Sequence, residues 1–290
     1  MLLALLKTMR PRQWTKNGFV FAALLFDRKL FHLPSLGHTV LAFILLCLMS
    51  SAVYIMNDLV DIDSDREHPT KRKRPLPSGQ LDVRVAGAAG LLFAGGSLAA
   101  GFALSPPFGL ILLIYLLIQV AYTFYLKHQV LLDVLAVASG FVLRVGAGVA
   151  VLEQVQRFSP WLYVCTALLA LFLALGKRRH ELLLLGQGAS NHRAILDEYN
   201  LDLIDRLLGL VTSSVLVAYS LYTFLAEGLP ENHTMMLTIP FVLYGLFRYL
   251  YLIHIREEGG APEEILLRDR PLQLTLFLWI GLVGLILYTS

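Results

Sequence analysis

Nine stretches of this chain are apolar for long enough to cross a lipid bilayer, and no other feature narrows its fold as much. They fall at about 17–34, 38–56, 84–105, 107–125, 130–152, 159–176, 207–226, 234–255 and 271–289. Crossing a hydrocarbon core takes about 20 predominantly apolar residues, and in lipid each segment must satisfy its own backbone N–H and C=O groups, which selects helix. Composition agrees. Hydrophobic residues make up 57% of the 290 and charged residues only 16%, against about 25% charged in a soluble domain. An ordinary soluble enzyme, a disordered chain, collagen and a coiled coil are excluded together. Cys47 and Cys165 both sit in apolar runs, so neither a disulfide framework nor a metal spacing is expected. Met1–Lys16 is short and basic and is followed by no small-residue cleavage site, so no removable signal peptide is expected. The expectation is one integral-membrane domain over residues 1–290.

The breaks between runs carry helix punctuation at Ser105-Pro106-Pro107, Ser159-Pro160, Gly228-Leu229-Pro230 and Arg270-Pro271. The first run is the weakest, because Asp27, Arg28 and Lys29 interrupt its far end. With nine spans, twenty of the 24 lysines and arginines fall on one side of the membrane, while Arg28, Lys29 and Arg157 fall on the other. Basic loops stay in the cytoplasm. This places the N-terminus there, in a cell (inner) membrane, and the C-terminus outside.

Positive-inside bias orients any membrane protein, but it does not explain the carboxylates on that same side. Residues 53–67 read V-Y-I-M-N-D-L-V-D-I-D-S-D-R-E. At about 100° per residue, Asp58, Asp61 and Asp65 fall within roughly 60° of one another on a helix. Asn57 lies one helical row from Asp61, and Leu59, Val60 and Ile62 keep the other side apolar. Like charges at this spacing repel, so the cluster needs a cation. Carboxylate and amide oxygens suit Mg²⁺, which keeps waters and substrate phosphates in its shell. The competing reading is a solvated helix end paired with Lys71–Arg74. The strict spacing, the leading Asn and the loop that follows favour a Mg²⁺–diphosphate site.

That loop continues H-P-T-K-R-K-R-P-L-P-S-G from His68 to Gly79. N-D-x-x-D-x-x-x-D followed by a basic R-P-L-P-S-G loop, with Y-x-x-x-L-K at Tyr122–Lys127, resembles the UbiA-type intramembrane prenyltransferase superfamily along essentially the whole chain. The resemblance implies a nine-helix UbiA-type bundle with a cytoplasm-facing cavity. It implies Mg²⁺ held by Asn57, Asp58, Asp61 and Asp65, with Lys73 and Arg74 on phosphate oxygens. Most members carry a second aspartate-rich motif at the end of the sixth span. Here that stretch is Leu175-Gly176-Lys177-Arg178-Arg179-His180-Glu181, basic where the pattern is acidic.

The departure resembles the phosphoribosyltransferase branch of the superfamily. The markers are R-P-R-Q-W-x-K-N at Arg10–Asn17, D-R-E-H-P-T-K-R at Asp65–Arg72, L-K-H-Q at Leu126–Gln129 and K-R-x-x-E-L at Lys177–Leu182. It implies transfer of 5-phosphoribosyl from phosphoribosyl diphosphate to a polyprenyl phosphate, making a lipid-linked pentose for cell-wall arabinan. Asp58, Asp61, Asp65 and Glu181 are the catalytic candidates, and either Asp65 or Glu181 would stabilise an oxocarbenium-like transition state. Lys127, Lys177 and Arg178, with Lys73 and Arg74, would bind phosphates. Asp133 and Arg144, ionisable groups inside one span, are expected to line the cavity. They lie about 16 Å apart at 1.5 Å per residue and so do not pair. Lys16 and Tyr122 complete the substrate-binding candidates, although Tyr122, Tyr125, Tyr54 and Trp14 also read as interfacial anchors. Arg193-x-x-Leu196-x-x-Tyr199 reads as an amphipathic segment that caps the site or lies on the surface. The small-residue stretches Ala86–Ala100 and Gly140–Ala150 suit close helix packing. Membrane lipids are expected partners, nucleic acid is not, and a homo-oligomer is compatible with the sequence. Two rivals stand: a prenyltransferase acting from a prenyl diphosphate on an aromatic or haem-like acceptor, and a transporter, whose site would lie at the bilayer midplane.

Overall fold

In the computed structural model the described residues, 1–152, 159–186, 194–258, 265–266 and 268–289, are helical with intervening turns and no strand. Among the described residues eight helices are long and apolar enough to cross a membrane. They are α3 (Leu33–Val60), α5 (Val83–Leu104), α6 (Pro106–Phe124), α7 (Leu132–Ala150), α8 (Pro160–Gly186), α9 (Leu201–Leu225), α10 (Ile239–His254, extended by the 3-10 turn Thr234–Thr238) and α11 (Arg270–Thr289). Three short helices, α1 (Leu2–Thr8), α2 (Ala22–Phe26) and α4 (Ile62–Glu67), lie among them. Exposed side chains such as Leu91 (78%) and Phe277 (74%) are what helices solvated by lipid present.

Local chemistry sets the boundaries. Asp82 caps α5 by accepting from the Arg84 and Val85 amides, and Asn200 caps α9 through the Leu203 amide. Ser105 is extended, which divides α5 from α6 ahead of Pro106 and Pro107, and its hydroxyl donates to the Ala150 carbonyl at 2.7 Å. Asp269 accepts from the Leu272 amide and pairs with Arg248 at 2.7 Å, fixing the start of α11.

The first expected span, 17–34, is built differently. It is a 3-10 helix over Pro11–Phe21 that runs into α2. Three residues per turn put side chains three apart on one face, and the inward residues follow that period. Trp14 donates to Ser51 Oγ at 3.1 Å, Asn17 to Ser50 Oγ at 3.2 Å, and Val20 is fully buried. Gly148 makes room for it, since a Cβ there would sit 2.0 Å from the Val20 carbonyl oxygen. At about 2.0 Å per 3-10 residue and 1.5 Å per α residue, the two pieces laid end to end reach about 30 Å, so this segment has a crossing's length without being an α-helix.

Contacts divide the chain into two compact units. The first comprises Met1–Leu24, Leu30–Leu126 and Leu143–Glu153; the second comprises Leu25–Lys29, Lys127–Val142 and Gln154–Ser290. In the first, Val20, Leu46, Met49, Val53, Phe108, Leu112 and Tyr115 form the main core, and Ala4, Ile55, Leu76, Leu81 and Ala86 form a smaller one. In the second, Phe172, Leu175, Ile204, Leu208, Leu246 and Tyr249 pack together.

Candidate active site

The acidic cluster belongs to the first unit. The single helix expected through residue 65 breaks at Asp61 (φ −91°, ψ 10°), where α3 ends and α4 begins. Asp61 and Asp65 amides still bond to the Asn57 and Asp61 carbonyls, so the helical spacing survives the break. Asp58 and Asp65 are the two buried members, with side chains 3% and 2% exposed. Asp61 and Asn57 are half-buried, and Asp63 and Glu67 are exposed.

Three cations close over the two buried carboxylates. Arg74 Nη1 donates to Asp65 Oδ2 at 2.6 Å and to Asp58 Oδ1 at 3.2 Å. Those two oxygens therefore lie no more than 5.8 Å apart, the sum of the two contacts. Arg10 donates to Asp58, and Lys71 Nζ lies 3.5 Å from Asp65 Oδ1. All three cations are about a third exposed or more, so the carboxylates form the floor and the cations the rim. The R-P-L-P-S-G loop sets Arg74 in place. Leu76 and Leu81 are buried, the Ser78 amide returns to the Arg74 carbonyl, and Leu81 bonds to Pro75. Gly79 turns the chain at φ 77°, which favours glycine. Preceding it, the His68 imidazole accepts from the Thr70 and Lys71 amides. Desolvation, then the nearby Lys71 charge, lowers its pKa from the usual histidine value.

The residues expected at phosphate oxygens differ in where they lie. Arg74 is in the cluster, but Lys73 is exposed, and it is Lys71 that reaches a carboxylate. Arg10, 48 residues from Asp58, was legible only as part of the R-P-R-Q-W marker. Lys16 and Tyr122 are half-buried and belong to the first unit. Arg144 is buried and donates to Asn17 Oδ1 at 2.7 Å and to the Tyr115 hydroxyl at 3.1 Å. It fastens the 3-10 segment to α7.

The second unit holds the other polar cluster. Asp133 is completely buried and accepts from Arg178 Nε at 2.6 Å and from the Tyr199 hydroxyl at 2.8 Å. Arg178 also pairs with Glu181, and the Tyr199 hydroxyl accepts from the Leu131 amide at 2.7 Å. Burial pushes the Tyr199 pKa up to about 12, so it stays a donor. Helix α8 continues through the basic stretch instead of ending there. Arg178 is thus buried in ion pairs, Arg179 bonds to Asp205 and the Ile253 carbonyl, Lys177 is exposed, and Lys127 is half-buried. Asp133 and Arg144 each have their own partners, as the spacing required. Tyr199, read from the sequence as part of a segment that caps the site or lies on the surface, is bonded to the buried Asp133. Leu196 and Tyr199 are buried, and Arg193 lies outside the described residues.

The donor set of the first cluster fits a hard divalent cation: two buried carboxylates, a carboxamide and a half-buried third carboxylate. Among the described residues no three His, Cys, Asp or Glu side chains are gathered as a ready metal cage. Mg²⁺ does not require one, because it is commonly bound through one or two carboxylates plus substrate phosphates.

The UbiA prenyltransferase family profile matches residues 18–181. The chain belongs to the UbiA prenyltransferase family. Decaprenyl-phosphate phosphoribosyltransferase of Mycobacterium tuberculosis is 34% identical over 96% of this chain and 92% of its own length. The enzyme of that name from Mycolicibacterium smegmatis is 33% identical over 99% of this chain and 93% of its own. Among solved structures, a UbiA homolog from Archaeoglobus fulgidus bound to GPP and Mg²⁺ superposes with a TM-score of 0.74 at 20% identity, covering 99% of this chain and 100% of that one. The all-helical UbiA fold expected from the sequence is therefore the fold observed. Its eight apolar helices and family membership make the protein a multi-pass integral membrane protein and a transferase of this family.

Proposed function

We propose that this UbiA protein transfers 5-phosphoribosyl from phosphoribosyl diphosphate to a polyprenyl phosphate of decaprenyl type, releasing diphosphate. The observation that carries the reading is the end-to-end likeness, about one residue in three, to relatives named for that transfer. The site supports it. Among the described residues Asp58 and Asp65 share a cation between them, and the stretch where the resemblance leads one to expect a second acidic motif reads Lys177–Glu181.

The bookkeeping of the reaction is simple. The anomeric C–O bond to diphosphate breaks, a C–O bond to the acceptor phosphate forms, and no electrons change hands. The acceptor is already ionised near neutral pH, so no strong general base is needed. Mg²⁺ bound at this platform would supply Lewis-acid stabilisation of the departing diphosphate. Asn57, Asp58, Asp61 and Asp65 would hold it. Arg74, Arg10 and Lys71, which neutralise the carboxylates in the structure, would turn to phosphate oxygens when the carboxylates are engaged. Asp65 would stabilise positive charge developing on the ribose, with Glu181 retained as the second candidate. Lys127 and Lys177 are assigned to phosphate in the second unit, whereas Arg178 acts there as the buried partner of Asp133. A cytoplasmic N-terminus, residence in a cell membrane, and supply of a lipid-linked pentose for cell-wall arabinan belong to the same reading.

The test compares donors on purified protein in nanodiscs. Radiolabelled phosphoribosyl diphosphate plus decaprenyl phosphate and Mg²⁺ should move label into the organic phase. Turnover of geranyl diphosphate with an aromatic acid, and none of the first pair, would overturn the proposal in favour of prenyl transfer.

A further inference from the structure

Arg10 has a backbone conformation that an arginine rarely adopts. It lies in the left-handed region (φ 54°, ψ 63°), between the end of α1 and the 3-10 helix that begins at Pro11. A helix that ends on a left-handed residue ordinarily places Gly or Asn there, and a residue before proline is pushed toward extended conformations by the ring that follows. The chain nevertheless keeps a long charged side chain at this position. That side chain reaches α3, where two residues one helical turn apart receive it. Its guanidinium donates to Asp58, and its guanidinium carbon lies over the Tyr54 ring, 5.0 Å from the centroid. Tyr54 is half-buried, and the Trp14 bond to Ser51 docks the next turn of the segment on the same side of α3.

Asp58 and Tyr54 hold Arg10 in different ways. The bond to Asp58 uses a carboxylate that the proposed Mg²⁺ platform would engage. The ring contact does not depend on that carboxylate, because the cation is attracted to the negative face of the aromatic ring itself. A ring face under the guanidinium carbon also leaves in-plane N–H groups for oxygen acceptors such as phosphate. We propose that Tyr54 is a positioning residue for the phosphoribosyl donor: its ring keeps Arg10 at the rim once Asp58 has turned to the metal, so that the guanidinium meets the diphosphate. This rests on the proposed phosphoribosyl transfer and adds to it a residue that touches neither metal nor substrate. The left-handed backbone at Arg10 fits such a role, since strained residues persist where the surrounding contacts determine them and gather at functional sites.

The test uses the full-length protein in nanodiscs, with KM for phosphoribosyl diphosphate and kcat measured at saturating decaprenyl phosphate and Mg²⁺. Tyr54→Leu removes the ring and should raise that KM by about 5-fold, the loss of a partly exposed cation–π contact, with kcat little changed. Tyr54→Phe keeps the ring and should retain the wild-type KM. In an Arg10→Met background Tyr54→Leu should add no further rise, because the coupling runs through Arg10. Should Tyr54→Leu not fold, Tyr54→Met carries the same expectation. Wild-type kinetics in Tyr54→Leu with only a lower melting temperature, the result an interfacial anchor would give, would overturn the positioning role alone. An equal rise in KM in the Arg10→Met background, or in Tyr54→Phe, would overturn it too. A wild-type protein that turns over no phosphoribosyl diphosphate would remove the proposed transfer and this inference with it.

Discussion

Arg74 is the residue on which the carboxylate platform most depends. Replacing it with Met keeps most of the stem's apolar volume and removes the charge that touches both Asp58 and Asp65. The two carboxylate oxygens lie no more than 5.8 Å apart, by the two contacts that meet at Arg74 Nη1. At an effective dielectric of about 20, like charges at that separation repel by about 3 kcal/mol, and removing one partner of a buried pair costs roughly 3–5 kcal/mol in measured cases. Arg10 and Lys71 remain and offset part of this, so the expected loss is about 2–3 kcal/mol. The assay is thermal unfolding in detergent followed by size-exclusion chromatography, with and without millimolar Mg²⁺. Arg74→Met should melt lower than wild type without metal and should gain more from Mg²⁺, because the cation replaces the missing guanidinium between the carboxylates. Identical melting curves, or equal gains from Mg²⁺ in both proteins, would refute the idea that Arg74 neutralises a prospective cation site.

Other expectations concern the supports of that site. Gly148→Ala places a Cβ 2.0 Å from the backbone oxygen of Val20, which cannot rotate away. A loss of about 1–3 kcal/mol is expected from overpacking, seen as reduced yield and melting temperature. Tyr199→Phe removes the donor to Asp133 and the acceptor of the Leu131 amide, costing about 1–3 kcal/mol for buried groups left unmet. The folded-state pKa of Tyr199, about 12, lies above its usual 10.0. Its contribution is therefore complete below pH 10 and declines as pH rises toward 12, and Tyr199→Phe should lack this part of the alkaline loss. His68, by contrast, has a lowered pKa, so the unfolded state takes up its proton first. Its support for the Thr70–Lys71 turn is full above the usual value of 6.5 and is lost as pH falls through the lowered one. Exchange protection at residues 68–72, taken relative to the intrinsic rate at each pH, should fall on acidification in wild type and lose that dependence in His68→Gln.

The eight long helices were legible because lipid demands about 20 apolar residues in a row and leaves few exceptions. The segment 11–26 was harder to read. Its inward residues Trp14, Asn17 and Val20 follow a three-residue period that an α-helical reading scatters around the cylinder. Spacing placed Asp58, Asp61 and Asp65 on one face, and the proximity of Asp58 and Asp65 survived a break at Asp61 because the local amide bonds persist across it. Their countercharges were not equally visible. Arg74 and Lys71 sit on the adjoining loop, whereas Arg10 comes from a segment 48 residues before Asp58. The basic stretch at Lys177–Arg179 shows the limit most clearly. A run of cations reads as an anion-binding face until Asp133, Glu181 and Asp205, on three different helices, claim two of the three.

The central claim is that Asp58 and its neighbours serve transfer from a phosphoribosyl donor to a lipid phosphate. The direct measurement is the stoichiometry of the two products in one reaction: diphosphate released and phosphoribosyl-lipid formed from decaprenyl phosphate with Mg²⁺, for wild type and Asp58→Asn. The expected result is one diphosphate per lipid product in wild type, with Asp58→Asn folded and inactive. Lipid product formed at the wild-type rate by Asp58→Asn, or diphosphate released with no lipid product, would contradict it.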